Sequence, residues 1–140
     1  MDIGVHTVPM TTRAALVDWL DRYEQAWRTN DPDQIRELFT EDAVYRWHPW
    51  EEAADGADGR EEIVEAWLEQ PDDPDDWTLE CEPVAVDGDV AVARCEIRYR
   101  ATARAPARSY HNIWVMTLTE DGRCSDFLEY FMKEPTEESA

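Results

Sequence analysis

The stretch of sequence that decides the fold is DFLEYFM, residues 126–132. It follows a turn at 120–123, so we predict that it is the second strand of a β-hairpin. Because side chains alternate across a strand, Phe127, Glu129 and Phe131 share one face. A carboxylate between two phenylalanines does not suit a solvated face. If that face is buried, Glu129 must be paired, protonated or catalytic.

The rest of the sequence places helices before most of the strands. Thr11 or Thr12 can cap a first helix that ends near Thr29, a second helix begins at Asp31-Pro32, and a third runs from Gly59 through Glu69. Strands are predicted at 43–47, 77–86, 90–103, 108–119 and 124–132. This order predicts an α+β domain in which three N-terminal helices pack on a curved, mostly antiparallel sheet.

Length and charge limit the classes of function. The 140 residues correspond to a single domain over 1–140, and we expect its ends, 1–10 and 135–140, to be loose. The formal net charge of −20 repels phosphate, which disfavours nucleic acid and anionic membrane surfaces as partners. The sequence contains neither an apolar run that approaches 18 residues nor a signal-peptide pattern, so we expect a cytoplasmic protein.

No cofactor or metal is expected from the motifs. The three cysteines, Cys81, Cys95 and Cys124, have no metal-ligand spacing and are interpreted as small buried residues of a reduced protein. Neither a pair of histidines at ligand spacing nor a glycine-rich phosphate loop is present.

Arg94 and Glu96 are the first candidates for chemistry. They lie on one face of the long strand at 90–103, about 7 Å apart along the chain. A guanidinium there can hold Glu96 on one side and Glu129 on the other. Such a buried Glu96–Arg94–Glu129 set would raise one carboxyl pKa, giving an acid and a base. The alternative is a solvated strand face whose ion pairs contribute under about 1 kcal/mol each.

His111 is a second candidate, as a general base near Glu129. The alternative is a histidine with a hydrogen-bonded structural role. The sequence leaves two alternatives for the face of this strand that lines the cavity. It is either the odd-numbered set that contains His111, or the even-numbered set that contains Asn112 and Trp114.

Aromatic residues can line a cavity for a flat or alicyclic, mostly apolar molecule. The alternative is that tryptophan simply fills the core of a small domain. The candidates for this substrate-binding set are Tyr23, Trp27, Trp47, Trp50, Trp67, Trp114, Phe127 and Phe131.

The opposite face of the long strand, which holds Ala93, Cys95, Ile97 and Tyr99, is also apolar. If Arg94 points into the cavity, this apolar set lies on the outside of the sheet. A sheet that is apolar on both sides needs a second cover. We therefore predict a homodimer through the outer sheet face.

Three segments carry a family resemblance: FTEDAVY at 39–45, GREEI at 59–63, and DGR at 121–123 before the strand that contains Glu129. With the order of elements, they resemble the NTF2-like fold and, within it, the SnoaL-like group that includes polyketide cyclases. The resemblance covers about residues 12–134. It implies a conical, apolar pocket and acid–base chemistry of the isomerase, cyclase or hydrolase type, or a non-catalytic module that binds a ligand or a protein.

Part of the chain also resembles limonene-1,2-epoxide hydrolase. The Arg-x-Asp motif of that family is similar to residues 94–96, its second Asp falls on Glu129, and its water-holding Tyr falls on Tyr45. This resemblance implies epoxide opening by an activated water. Both Asp are replaced by Glu here, and the Asn of the family falls on Trp47, so the chain departs from the pattern at the water site.

Overall fold

The structure is a computed structural model that describes residues 11–69 and 71–135. Except for Pro135, the two ends that we predict to be loose lie outside the described residues. In the described part of the chain, no helix has the length and apolar character needed to cross a membrane.

Three helices form close to the predicted bounds, and the first two begin at predicted capping residues. Helix α1, Arg13–Thr29, begins after Thr12, whose hydroxyl accepts a hydrogen bond from the backbone N of Ala15 at 3.0 Å. It ends at Asn30, which adopts the left-handed conformation (φ 54°). Helix α2, Pro32–Leu38, is capped by Asp31, and helix α3 spans Arg60–Glu69.

Six strands form one mixed sheet in the order β2-β1-β6-β5-β4-β3. Neighbouring strands are antiparallel except for β1 and β6, which are parallel. The parallel pair places β6 in the interior of the sheet rather than at its edge. The strands are β1 Phe39–Arg46, β2 Ala57–Asp58, β3 Trp77–Asp87, β4 Val90–Tyr99, β5 Arg108–Leu118 and β6 Cys124–Lys133.

The apolar stripe of α1 packs on one face of this sheet. Trp19 is fully buried, and its indole N–H donates to the Leu38 carbonyl at 3.0 Å, which ties α1 to the end of α2. The short connection after β1 folds back against that strand. At Gly56 the two backbones lie so close that any Cβ would collide with the Tyr45 carbonyl oxygen. This close approach holds β2 against β1.

The predicted faces of β4 are wrong. Ala93, Cys95 and Ile97 are buried on the face that the helices cover, and Tyr99 packs against that core. Arg94 therefore lies on the outer face. The physical reason is solvation: the helix-covered face is dry and takes small apolar side chains, whereas charged groups keep their water on the open face.

The outer face of the sheet nevertheless carries apolar side chains. The strand registers align Val92 with Val115 and Leu128, and they align Ile113 with Tyr130. Ile113 and Tyr130 are 37% and 44% exposed, so this stripe lacks a cover within the described chain. The homodimer stays a prediction, with this stripe in place of the residues first assigned to it.

A charge placed in the middle of the stripe tests the homodimer. The Ile113→Asp variant is expected to run as a monomer in light scattering, because the interface would remove water from the new carboxylate, and its cross-strand neighbour Arg94 is already paired with Glu82. The wild type is expected at twice the mass of one chain. Ala14→Asp, on the exposed side of α1, adds the same charge away from the sheet and should remain dimeric. A monomeric wild type at micromolar concentration would refute the dimer.

Candidate active site

A cavity of about 360 Å³ lies between the helices and the covered face of the sheet. Its walls are mostly aromatic. Of the residues predicted to line a pocket, five do so here: Tyr23, Trp27, Trp47, Trp114 and Phe131.

The other three predicted residues have different positions. Trp67 lines a smaller adjoining pocket of about 150 Å³. Trp50 is 76% exposed and lines a groove outside the cavity. Phe127 is fully buried behind the cavity wall, stacked on Tyr45 with their ring centroids 4.3 Å apart. The substrate-binding role of all eight residues stays a prediction.

Glu129 points into this cavity, as the strand pattern around it predicts. Its neighbour across the β5–β6 ladder is Trp114, whose indole N–H donates to Glu129 Oε2 at 3.1 Å. Burial removes water from the carboxylate and raises its pKa to about 7, although the Trp114 hydrogen bond and nearby His48 act in the opposite direction. Near neutral pH, Glu129 can therefore both take up and release a proton.

Two tyrosine hydroxyls form a pair close to this carboxyl. Tyr23 Oη on α1 and Tyr45 Oη on β1 are 3.3 Å apart, and both residues are buried. Burial and the proximity of Glu129 hold the pKa of each phenol well above its ordinary value. Both hydroxyls thus keep their protons at neutral pH. One proton is shared within the pair, and the other can be donated to a bound molecule.

The structure does not bring Arg94 and Glu96 to Glu129. Arg94 Nη2 pairs with Glu82 Oε1 at 2.8 Å on the outer face, and Glu96 pairs there with Arg98. The predicted Glu96–Arg94–Glu129 grouping is wrong, because Glu129 lies on the helix-covered side of the same sheet. These ion pairs belong to a solvated strand face, which is the alternative stated for this strand.

His111 also lies outside the cavity. Its Nε2 is 2.9 Å from Glu134 Oε2, and both side chains are about half exposed. The register resolves the open question of this strand: the even-numbered set, with Asn112 and Trp114, faces the cavity. The grouping of His111 with Glu129 is therefore wrong.

Several residues of the cavity rim were not predicted from the sequence. Tyr99 lines the rim, with the guanidinium of Arg108 4.2 Å from its ring centroid. Asp72 accepts hydrogen bonds from Trp27 Nε1 at 3.2 Å and from the Tyr99 hydroxyl at 3.4 Å. Asp72 lies in the acidic segment 71–76 that precedes β3, and only the correct faces of β4 connect this segment with the cavity.

A metal site does not emerge from this arrangement. Among residues 11–69 and 71–135, no group of three or more His, Cys, Asp and Glu side chains is placed to hold an ion.

Comparison with known proteins identifies the family. The family model described as "SnoaL-like domain" matches residues 20–127, and the chain belongs to this family. Its fold is NTF2-like, with three helices and a six-stranded mixed sheet. No curated protein sequence matches the chain.

Solved structures with this fold include three with named activities. An epoxide hydrolase/cyclase-like enzyme, SalBIII, which has a role in pyran ring formation in the polyether salinomycin, has a TM-score of 0.67 and 18% identity, covering 83% of this chain and 89% of its own. An epoxide hydrolase of M. tuberculosis, described as LEH-like, has a TM-score of 0.58 and 13% identity. The match covers 85% of this chain and 84% of that protein. A candidate ketosteroid isomerase from Kribbella flavida has a TM-score of 0.60 and 17% identity. The match covers 89% of this chain and 82% of that protein. At these identities the likeness shows the fold alone.

The raised pKa of Glu129 predicts a specific pH dependence of stability. A carboxyl whose pKa rises from 4.5 to about 7 on folding is protonated in both states at low pH, so folding loses stability as the pH rises through this window. Glu129→Gln removes this loss. The variant should be more stable than the wild type at pH 8, by on the order of 3 kcal/mol, and similar to it at pH 4.

Urea unfolding at several pH values measures this difference. Glu80→Gln replaces an exposed carboxyl of β3, and its stability should follow that of the wild type at every pH. Parallel curves for the wild type and Glu129→Gln would show that burial does not perturb the Glu129 carboxyl.

Proposed function

We propose that this protein is an acid–base enzyme that moves a proton on a small, mostly apolar molecule bound in the cavity. The observation that carries the proposal is the Glu129 carboxyl, which lines an aromatic cavity and has a pKa near 7. A general base works best when its pKa lies near the operating pH. Burial gives Glu129 this property without a second charged partner.

Each neighbouring group has a defined role in this proposal. Glu129 removes a proton from the substrate and returns it at another atom. The Trp114 indole N–H, 3.1 Å from Glu129 Oε2, orients the carboxyl. The proton of the Tyr23–Tyr45 pair that is not shared between the hydroxyls stabilises the negative charge that develops on a substrate oxygen. These roles suit isomerase or cyclase chemistry next to a carbonyl group.

Epoxide opening is the alternative that the resemblance implies. Two of the structural neighbours are described as epoxide hydrolase-type proteins, and Tyr45 does lie near Glu129. The arginine and the second carboxyl of that family's site, however, fall on the outer face of this sheet. Glu129 would have to activate the water without them, so we favour proton transfer at carbon.

Exchange of the C1 protons of 2-tetralone in D2O, followed by proton NMR, tests the proposed activity. The rate with wild-type protein should increase with pH through an apparent pKa near 7, because the base must be ionised. Glu129→Gln should reduce the catalysed rate at least about 100-fold. Tyr45→Phe should reduce it about 10-fold while the fold is kept.

His111→Gln is the matched control, since His111 lies on the outer face, and its exchange rate should equal that of the wild type. Limonene oxide and styrene oxide are incubated in parallel. A diol that depends on Glu129, in the absence of exchange, would support the hydrolase alternative. No exchange and no diol between pH 5 and 9 would reject the enzyme and leave a ligand-binding module.

A further inference from the structure

The strand register brings two of the three cysteines together. Cys81 of β3 and Cys95 of β4 are directly opposite each other in the antiparallel ladder, so both side chains lie on the same face of the sheet. Their Sγ atoms are 2.9 Å apart, and both thiols are free. Neither the lining of the cavity nor the proposed proton transfer uses this pair of thiols.

The backbone at this pair already meets the requirements of a disulfide bond. Residues directly opposite in an antiparallel ladder have Cα atoms about 4.5 or 5.5 Å apart, depending on their hydrogen-bonding position. Disulfides span Cα separations of about 4.4–6.8 Å, so either position allows one. Bond formation shortens the distance between the sulfur atoms from 2.9 Å to about 2.05 Å. This closure needs no change in the strand register.

The two thiols differ in access and in acidity. Cys81 lies on β3, the edge strand of the sheet, and is partly exposed, whereas Cys95 is only 2% exposed. The hydrogen bond with Cys81 and burial raise the pKa of the Cys95 thiol, so Cys95 keeps its proton. Cys81 is therefore the thiol that meets a reagent from solvent first, and Cys95 is placed to complete the reaction.

We propose that Cys81 and Cys95 form a reversible oxidation site, at which a small-molecule disulfide converts the two thiols into a cross-strand disulfide. The Cys81 thiolate attacks the reagent, forms a mixed disulfide and releases one small thiol. The Cys95 thiolate then attacks Cys81 Sγ and releases the second small thiol. The two protein thiols are oxidised, the reagent is reduced to two thiols, and these carry away both protons.

The cross-link fastens the edge strand that supports the cavity wall. Since β3 pairs with β4 alone, it is held by fewer backbone hydrogen bonds than an interior strand. Trp77 of β3 stacks on Trp27, with ring centroids 3.9 Å apart, and Trp27 lines the cavity. A bond between the two strands therefore stabilises this wall without placing a new group in the cavity.

Oxidised glutathione tests the proposal, with thiol counts in denaturant and intact mass as readouts. The wild type should change from three free thiols to one, lose two hydrogens in mass, and regain all three thiols with dithiothreitol. Cys124→Ser is the matched control, because Cys124 is fully buried on β6 and donates to the Asp126 carbonyl. This variant should still lose two thiols.

Substitution of each partner separates the two steps of the reaction. Cys81→Ser should keep both of its thiols, since Cys95 and Cys124 are buried. Cys95→Ser should instead accumulate a glutathione adduct on Cys81, because no second thiol displaces it. Three unreacted thiols in the wild type, a lasting adduct there, or a disulfide-linked dimer on a non-reducing gel would overturn the proposal.

Urea unfolding of the oxidised and reduced wild type gives a second readout. The cross-link restricts the unfolded chain over the hairpin between the two cysteines, so the oxidised form should unfold at a higher urea concentration. Cys81→Ser should show no difference after the same treatment. An unchanged or lower midpoint in the oxidised wild type would show that the disulfide strains the strand pair, and it would overturn the proposed site.

The outcome is independent of the catalytic proposal. Neither cysteine takes part in the proton transfer proposed for Glu129, so a failure of either test leaves the other proposal intact.

Discussion

The burial of the Glu129 carboxyl is the constraint on which the site depends. The carboxyl lies in an aromatic cavity with a single neutral donor, the Trp114 indole, on Oε2. A carboxylate in such surroundings is less stable than in water, so its proton is retained to a higher pH. The same charge helps to keep the hydroxyls of Tyr23 and Tyr45 protonated. One buried group thus accounts for both the base and the donors beside it.

The topology places this carboxyl on the wall of the cavity. Because β6 lies between β1 and β5, Glu129 is in the interior of the sheet rather than at its edge. Tyr23 of α1 lies over the same face of the sheet. The parallel pairing of β1 with β6 sets Tyr45 opposite Phe127, two residues from the carboxyl. The ladder between β5 and β6 sets Trp114 directly opposite it. Two strands positioned by backbone register, β1 and β5, and helix α1 therefore converge on one side chain.

The alternation of side chains along a strand predicted a site residue correctly only where its neighbours were compatible with just one face of the sheet. Phe127 and Phe131 assign Glu129 to the covered side, and the capping residues Thr12 and Asp31 identify helix starts. In β4 both faces are plausible from pattern alone, because small apolar residues alternate with Arg94 and its charged neighbours. The resemblance to an Arg-x-Asp motif favoured the wrong face. The deciding factor, which side the helices dehydrate, is a property of the assembled fold.

The Glu129 carboxyl differs from the exposed carboxyls of this acidic chain because it is poorly solvated. The most direct test is a titration of Glu129 by carbon NMR, with ¹³C-labelled glutamate and assignment by comparison with Glu129→Gln. We expect the Glu129 carboxyl carbon to titrate with a midpoint near pH 7. A midpoint close to 4.5, like that of an exposed glutamate, would contradict the buried base and with it the proposed chemistry.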